Sequence, residues 1–140
     1  MKKIDGLDCI LLVDDESSNH FFNKLTIQKS GINVHIKETY DGIEAFEYLT
    51  CSGKYASEDN FPQPGIIFLD INMPRMNGWE FMEKYGQLPD EQKGKIVLAM
   101  LTSTQNPDDK RRAEKLNGLS GFISKPLTLD NFNRIVEENF

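Results

Sequence analysis

Three aspartates, a threonine and a lysine each follow a short apolar run. Asp14 and Asp15 close Cys9-Ile-Leu-Leu-Val13, with Glu16 next. Asp70 closes Ile66-Ile-Phe-Leu69, Thr102 and Ser103 close Ile96-Val-Leu-Ala-Met-Leu101, and Lys125-Pro126 comes just after Gly121-Phe-Ile123. Gathered into one cleft, three carboxylates repel and raise one another's pKa. A hard divalent cation relieves this. Mg2+ takes oxygen ligands and keeps several waters, so one or two carboxylates plus a phosphate suit it. A lysine is a good point charge for one phosphoryl oxygen, and a hydroxyl can bond another. The set reads as a phosphoryl-transfer site with one carboxylate as nucleophile. Singly, each member has a plainer reading: the aspartates as caps or turn starters, the lysine as a solvated surface group. Their joint occurrence, in order, each after an apolar run, points to chemistry.

Elements must bring these residues together. The solid apolar runs fit strands buried on both faces of a parallel sheet. Asn33-Val-His-Ile-Lys-Glu38 alternates apolar and polar and fits an edge strand. Helical patterns lie between. The first runs from about Ser17 to Lys29 and stops before Gly31. The second follows the Asp41-Gly42 turn, has Ile43, Phe46 and Leu49 on one face, and stops at Gly53. The third starts near Asn77 and carries Phe81, Met82 and Tyr85. The fourth opens with Asn106 as cap, Pro107 at its first position and Asp108 and Asp109 in its first turn. The last runs from about Thr128 to the end, with Leu129, Phe132, Ile135 and Val136 inward. Five strand–helix units with right-handed crossovers make an α/β, doubly wound sheet with helices on both faces. Sites in such sheets lie at the carboxyl ends of the strands, near the switch in strand order. All five candidate residues fall there.

Composition narrows the class. At 140 residues the chain is expected to be one domain over residues 1–140, its core spanning about 8–139, with no output domain after the last helix. Sixteen basic and 22 acidic residues give a net charge of −6, which argues against nucleic acid as a partner. No apolar run approaches the roughly 20 residues of a membrane span. The two basic residues at the start are not followed by a long apolar segment, so no signal peptide is expected there. Cys9 and Cys51 have no metal spacing and read as reduced thiols of a cytoplasmic protein.

The residues resemble those of a known family. Ile10-Leu-Leu-Val-Asp-Asp15, Ile67-Phe-Leu-Asp-Ile-Asn-Met-Pro-Arg-Met-Asn-Gly78, Leu101-Thr-Ser103 and Gly121-Phe-Ile-Ser-Lys-Pro126 are similar to the motifs of response regulator receiver domains, the CheY-like group of two-component signalling. The resemblance runs from Cys9 to the last helix and implies a flavodoxin-like sheet with strand order 2-1-3-4-5. It implies that Asp70 is the phosphoacceptor, phosphorylated by a sensor histidine kinase or a phosphotransfer protein. Asp15 is then the direct carboxylate ligand of Mg2+, and Asp14 holds the ion through water. Asp70 and the backbone carbonyl of Asn72 complete the metal site. Thr102 and Lys125 would hold phosphoryl oxygens, and Phe122 would be the aromatic switch, without the hydroxyl a tyrosine would bring. The Lys125–Pro126 bond is expected to be cis. Output would run through a downstream protein, a homodimer or onward relay, on the face of the fourth helix, fifth strand and fifth helix. The family's members catalyse their own phosphorylation and dephosphorylation and are not enzymes in the turnover sense. The long connection Thr50–Pro64 and the Asn106-Pro-Asp-Asp109 opening resemble stand-alone receivers paired with phytochrome-type kinases.

Other classes fit less well. A Mg2+-dependent aspartyl phosphohydrolase needs an acid two residues after its nucleophile, where this chain has Asn72, and a substrate cap. A flavin-binding module wants a Ser/Thr/Gly-rich loop after the first strand. This chain has Asp14-Asp-Glu16 there. A metal-independent pseudo-receiver would lack some of the expected side chains, and all are present. Lys110-Arg-Arg112 with Lys115 reads as a solvated face balanced by Asp108, Asp109 and Glu114, with partner binding as the alternative. Trp79 reads as packing the third helix onto the sheet. Neither His20 nor His35 falls at a strand end, so neither is assigned to the chemistry.

Overall fold

Five parallel strands form one sheet in the order β2-β1-β3-β4-β5. The computed structural model describes residues 3–55, 63–73, 75–89, 96–102, 107–116 and 119–140. Along the chain come β1 (Cys9–Val13), α1 (Ser17–Lys29), β2 (His35–Thr39), α2 (Gly42–Thr50), a 3-10 turn (Gly53–Tyr55), β3 (Ile66–Asp70), α3 (Gly78–Gly86), β4 (Val97–Thr102), α4 (Pro107–Glu114), β5 (Leu119–Ser124) and α5 (Leu129–Asn139). The chain steps from β1 to β2 on one side and then to β3 on the other. The switch in strand order therefore lies between β1 and β3, which carry Asp14 and Asp70 at their ends.

The solid runs bury because both sheet faces are covered. Alternate residues point to opposite faces. Leu11, Val13, Ile67, Leu69, Leu98 and Met100 pack with Tyr48 of α2 and Phe81 of α3. Ile10, Leu12, Ile66, Phe68, Ala99 and Leu101 pack with Ile27 of α1 and Phe132, Ile135 and Val136 of α5. β1, β3 and β4 are buried throughout. β2 is the expected half-buried edge. β5 is the opposite edge, as the expected strand order requires, but it is only partly buried, where its apolar run alone reads as buried on both faces. A three-residue apolar run cannot separate a central strand from an edge.

Helix starts follow side-chain chemistry. Asp41 caps α2 by accepting from the Glu44 N–H. Asn77 and Glu80 form a reciprocal capping box on α3. Thr128 caps α5 through the Asn131 N–H. Two details are corrected. α2 ends at Cys51 in the left-handed conformation, ahead of Gly53, and Leu129, in the first turn of α5, is exposed. The expected cap Asn106 lies outside the described residues, as do Ser103 and Thr104.

Candidate functional site

Asp14 extends β1 beyond its last ladder pair and is almost wholly buried at 2% exposure. Its Oδ1 accepts from the Glu16 N–H at 3.0 Å and from the Asn19 amide at 3.3 Å. Its Oδ2 accepts from the Asn19 amide at 3.1 Å and from Lys125 Nζ at 3.0 Å. Asp70, at the end of β3, is 6% exposed. Its Oδ1 accepts from the Ile71 N–H at 2.9 Å and lies 3.0 Å from the same Lys125 Nζ. Asp15 is exposed at the rim, yet Asp14, Asp15 and Asp70 offer oxygens all within 4.8 Å of one another. Lys125 reaches the cluster from just past β5, where its N–H donates to the Thr102 carbonyl at 2.7 Å and its bond to Pro126 is cis. Thr102 is buried at the end of β4, one register step beyond the Leu101 that pairs with Asp70.

Electrostatics follow from this crowding. Burial pushes the Asp70 carboxyl above the usual aspartate range, and the Asp14 charge adds to it. The Lys125 hydrogen bond and charge pull the other way and do not win. Burial pulls the Lys125 ammonium down, but hydrogen bonds and attraction to Asp70 and Asp14 outweigh it and hold its pKa above the ordinary lysine value. Three carboxylates thus face one ammonium. An all-oxygen cluster with excess negative charge fits a hard divalent cation. Asp14, Asp15 and Asp70 would hold it.

The β3–α3 loop is keyed to the acceptor. The Gly78 N–H donates to the Ile71 carbonyl at 2.8 Å. A Cβ on Gly78 would lie 2.7 Å from the Asp70 carbonyl oxygen and 2.9 Å from Ile71 Cα, so only glycine permits this approach. Asn72, the expected carbonyl ligand, sits on this loop with its side chain exposed. Arg75 has a left-handed φ of 66° and pairs with Asp41 at 3.2 Å, while Met76 O accepts from the Gly42 N–H. Phe122 is half-buried on β5 and lines a pocket of about 280 Å3 with Lys110, Ala113 and Leu119.

Several neighbours escaped the sequence reading. Asn19 bonds both oxygens of Asp14. His20 is fully buried beneath the site, its Nε2 2.9 Å from the Asp14 and Thr39 carbonyls. Phe21 and Phe22 are each 59% exposed on α1. Phe22 lines a pocket of about 280 Å3 with Asn19, Asn23, Lys125 and Pro126. Spacing from Asp14 gives no signal for any of them; only the pose of α1 over the strand ends does. The basic face of α4 is partly as expected. Arg111 pairs with Asp108 in solvent, but the Arg112 guanidinium lies 4.4 Å over the Trp79 ring.

Known proteins share this fold. The sequence pattern described as response regulator receiver domain matches residues 10–137. Response regulator Rcp1 of Synechocystis sp. is 28% identical over 128 residues, covering 91% of this chain and 83% of that protein. A Mn2+-bound crystal form of a response regulator Rcp1 has a TM-score of 0.74 and covers 93% of this chain and 90% of its own. A two component response regulator from Cytophaga hutchinsonii has a TM-score of 0.80 at 29% identity, covering 94% of this chain and 96% of that one. The bacteriophytochrome response regulator AtBRR has a TM-score of 0.80 at 26% identity, covering 95% and 92%. A family pattern that spans nearly the whole chain, on a five-stranded sheet shared with these structures, shows that this protein belongs to the response regulator receiver domain family.

Proposed function

We propose that this chain is a cytoplasmic phosphorylation-operated switch. Asp70 takes a phosphoryl group from the phosphohistidine of a sensor histidine kinase or phosphotransfer protein, in a reaction that needs Mg2+. The observation that carries the reading is Lys125 Nζ standing 3.0 Å from both Asp14 Oδ2 and Asp70 Oδ1, with Asp15 within reach of the same cluster. Lys125 and the Ile71 N–H occupy Asp70 Oδ1, which leaves Oδ2 to attack phosphorus. The O–P bond forms as the P–N bond to the donor imidazole breaks, and the imidazole departs with the N–P electron pair. Lys125 then holds a phosphoryl oxygen, and Thr102 bonds another. Bound Mg2+ would neutralise charge on the phosphoryl oxygens. Asp15 and Asp70 would ligate it with the Asn72 carbonyl. Asp14, its oxygens engaged by Glu16, Asn19 and Lys125, would act through water. The Mn2+-bound form of Rcp1 supports a divalent cation here. Exposed Phe22, which lines the pocket beside Lys125, supports a protein donor. That AtBRR is a bacteriophytochrome response regulator supports a photoreceptor kinase as that donor's class.

The chain is an acceptor that serves once per phosphorylation, not a turnover enzyme. Output follows from Thr102 moving toward the phosphoryl group and Phe122 filling the vacated space. The face of α4, β5 and α5 changes shape for a protein partner or a second copy. The hydrogen bond gained is worth about 1.5–3 kcal/mol, enough to shift a two-state element already near balance. With acetyl phosphate and Mg2+, intact mass should rise by one phosphoryl group, and hydroxylamine should remove it. Asp70→Asn acquiring the same adduct at the same rate would defeat the assignment. Thr102→Ala should still take the group but lose the response of α4 and Phe122 to beryllofluoride in chemical-shift maps.

A further inference from the structure

We propose that His20 is a positioning residue for this site: it fixes Asp14 through the main chain, and the proposal rests on the phosphoryl-transfer reading above. His20 lies on α1, fully buried, with Nε2 2.9 Å from the Asp14 carbonyl oxygen and 2.9 Å from that of Thr39. Carbonyl oxygens only accept, so Nε2 carries the ring hydrogen and donates it to both. The other ring nitrogen, Nδ1, is buried and has no hydrogen-bond partner among the described residues.

That orphaned atom argues against a purely space-filling role. Buried polar atoms without partners are penalised, and an aromatic or aliphatic ring of the same volume would avoid the penalty. What imidazole adds here is the Nε2–H. It closes the β1–β2 ladder at the site end. The Asp14 N–H donates to the Thr39 carbonyl at 3.1 Å, and the Thr39 hydroxyl donates to the Leu12 carbonyl. Both backbone groups of Asp14 are thus tied to Thr39, one directly and one through His20. The ring also packs edge-on against Tyr40, with centroids 4.9 Å apart. The buried Asp14 carboxylate, which reaches Lys125, is thereby held from below while Asn19 holds it from the side. Reaction geometry is sensitive to displacements of about 1 Å, so this anchoring bears on rate as well as on fold.

Two variants separate the roles. His20→Phe keeps the ring and the Tyr40 contact but loses the donor. His20→Gln keeps a donor at similar reach. Mn2+ affinity by calorimetry and the initial rate of Asp70 phosphorylation by acetyl phosphate are measured beside urea midpoints. His20→Phe should bind Mn2+ and accept phosphate about 10- to 100-fold more weakly, with a urea midpoint lowered by the lost donor but the folded state still fully populated in the assays. His20→Gln should recover most of both. Wild-type affinity and rate in His20→Phe would overturn the proposal. So would a joint loss of stability and binding that His20→Gln does not repair. If His20→Phe fails to fold, the imidazole 15N spectrum of the wild type decides: hydrogen on Nε2 supports the proposal, hydrogen on Nδ1 overturns it. A wild type that takes up neither Mn2+ nor phosphate sinks the site reading itself, and this proposal with it.

Discussion

Asp70 keeps its proton to higher pH than an ordinary aspartate, because burial and the Asp14 charge together outweigh Lys125. The folded chain therefore binds a proton at pH values where the unfolded chain has released it. Stability tied to this group is fullest below the unfolded pKa and is lost as the pH rises through the folded one. Asp70→Asn removes the penalty. The metal-free variant should melt a few degrees above wild type at neutral pH, with the gap closing toward about pH 4. Calorimetry at the two pH values checks this; a variant that melts lower at neutral pH contradicts it. Asp14, Asp15, Asp70, Thr102 and Lys125 were legible in the sequence because a parallel sheet collects the ends of its strands. Asn19 and His20 were not, because no spacing rule says which turn of a helix will overhang those ends.

Helix and loop boundaries carry their own strain. Cys51 ends α2 with φ 51° and ψ 48°, and the Ser52 N–H closes back on Glu47 O at 3.0 Å. A left-handed non-glycine residue is held there against its preference. Cys51→Gly should stabilise the fold by about 1 kcal/mol, read as a higher urea midpoint at constant slope. Gly78→Ala should act oppositely. Its Cβ meets the Asp70–Ile71 backbone, so the loop after Asp70 must shift. The expected loss is about 1–3 kcal/mol, with slower phosphorylation of Asp70 in the same preparation. Starts of helices were readable from Asp41, Asn77 and Thr128, whose side chains cap the first turn. The end of α2 was not, because a cysteine has no turn preference to announce it. The inward reading of Leu129 failed for a related reason: in the first turn of a helix, apolar character does not say which face meets the sheet.

The whole molecule balances a strained acid cluster against two closed apolar layers. A cation that binds only the folded state adds stability by mass action, about 1.4 kcal/mol at ten times its Kd. Mg2+ should therefore raise Tm in the wild type, and Asp15→Asn should flatten that response. An equal Mg2+ shift in the variant would remove Asp15 from the ligand set. Both layers followed from apolar periodicity, since covered faces demand solid runs, whereas the strand order came from the family resemblance. The exposed Phe21 and Phe22 did not, because an apolar pair on a helix reads as core until the neighbouring elements are in place.

Trp79, the one tryptophan in the chain, sits one residue after Gly78, whose backbone is keyed to Asp70, and beneath the Arg112 guanidinium of α4. Ultraviolet light absorbed by its indole is therefore emitted from the seam between the acceptor loop and α4. Emission colour follows the charge above the ring, and iodide or acrylamide can reach the ring only as far as Arg112 permits. The protein thus contains its own optical gauge of that seam, readable without any attached dye, and Arg112→Gln supplies its zero point.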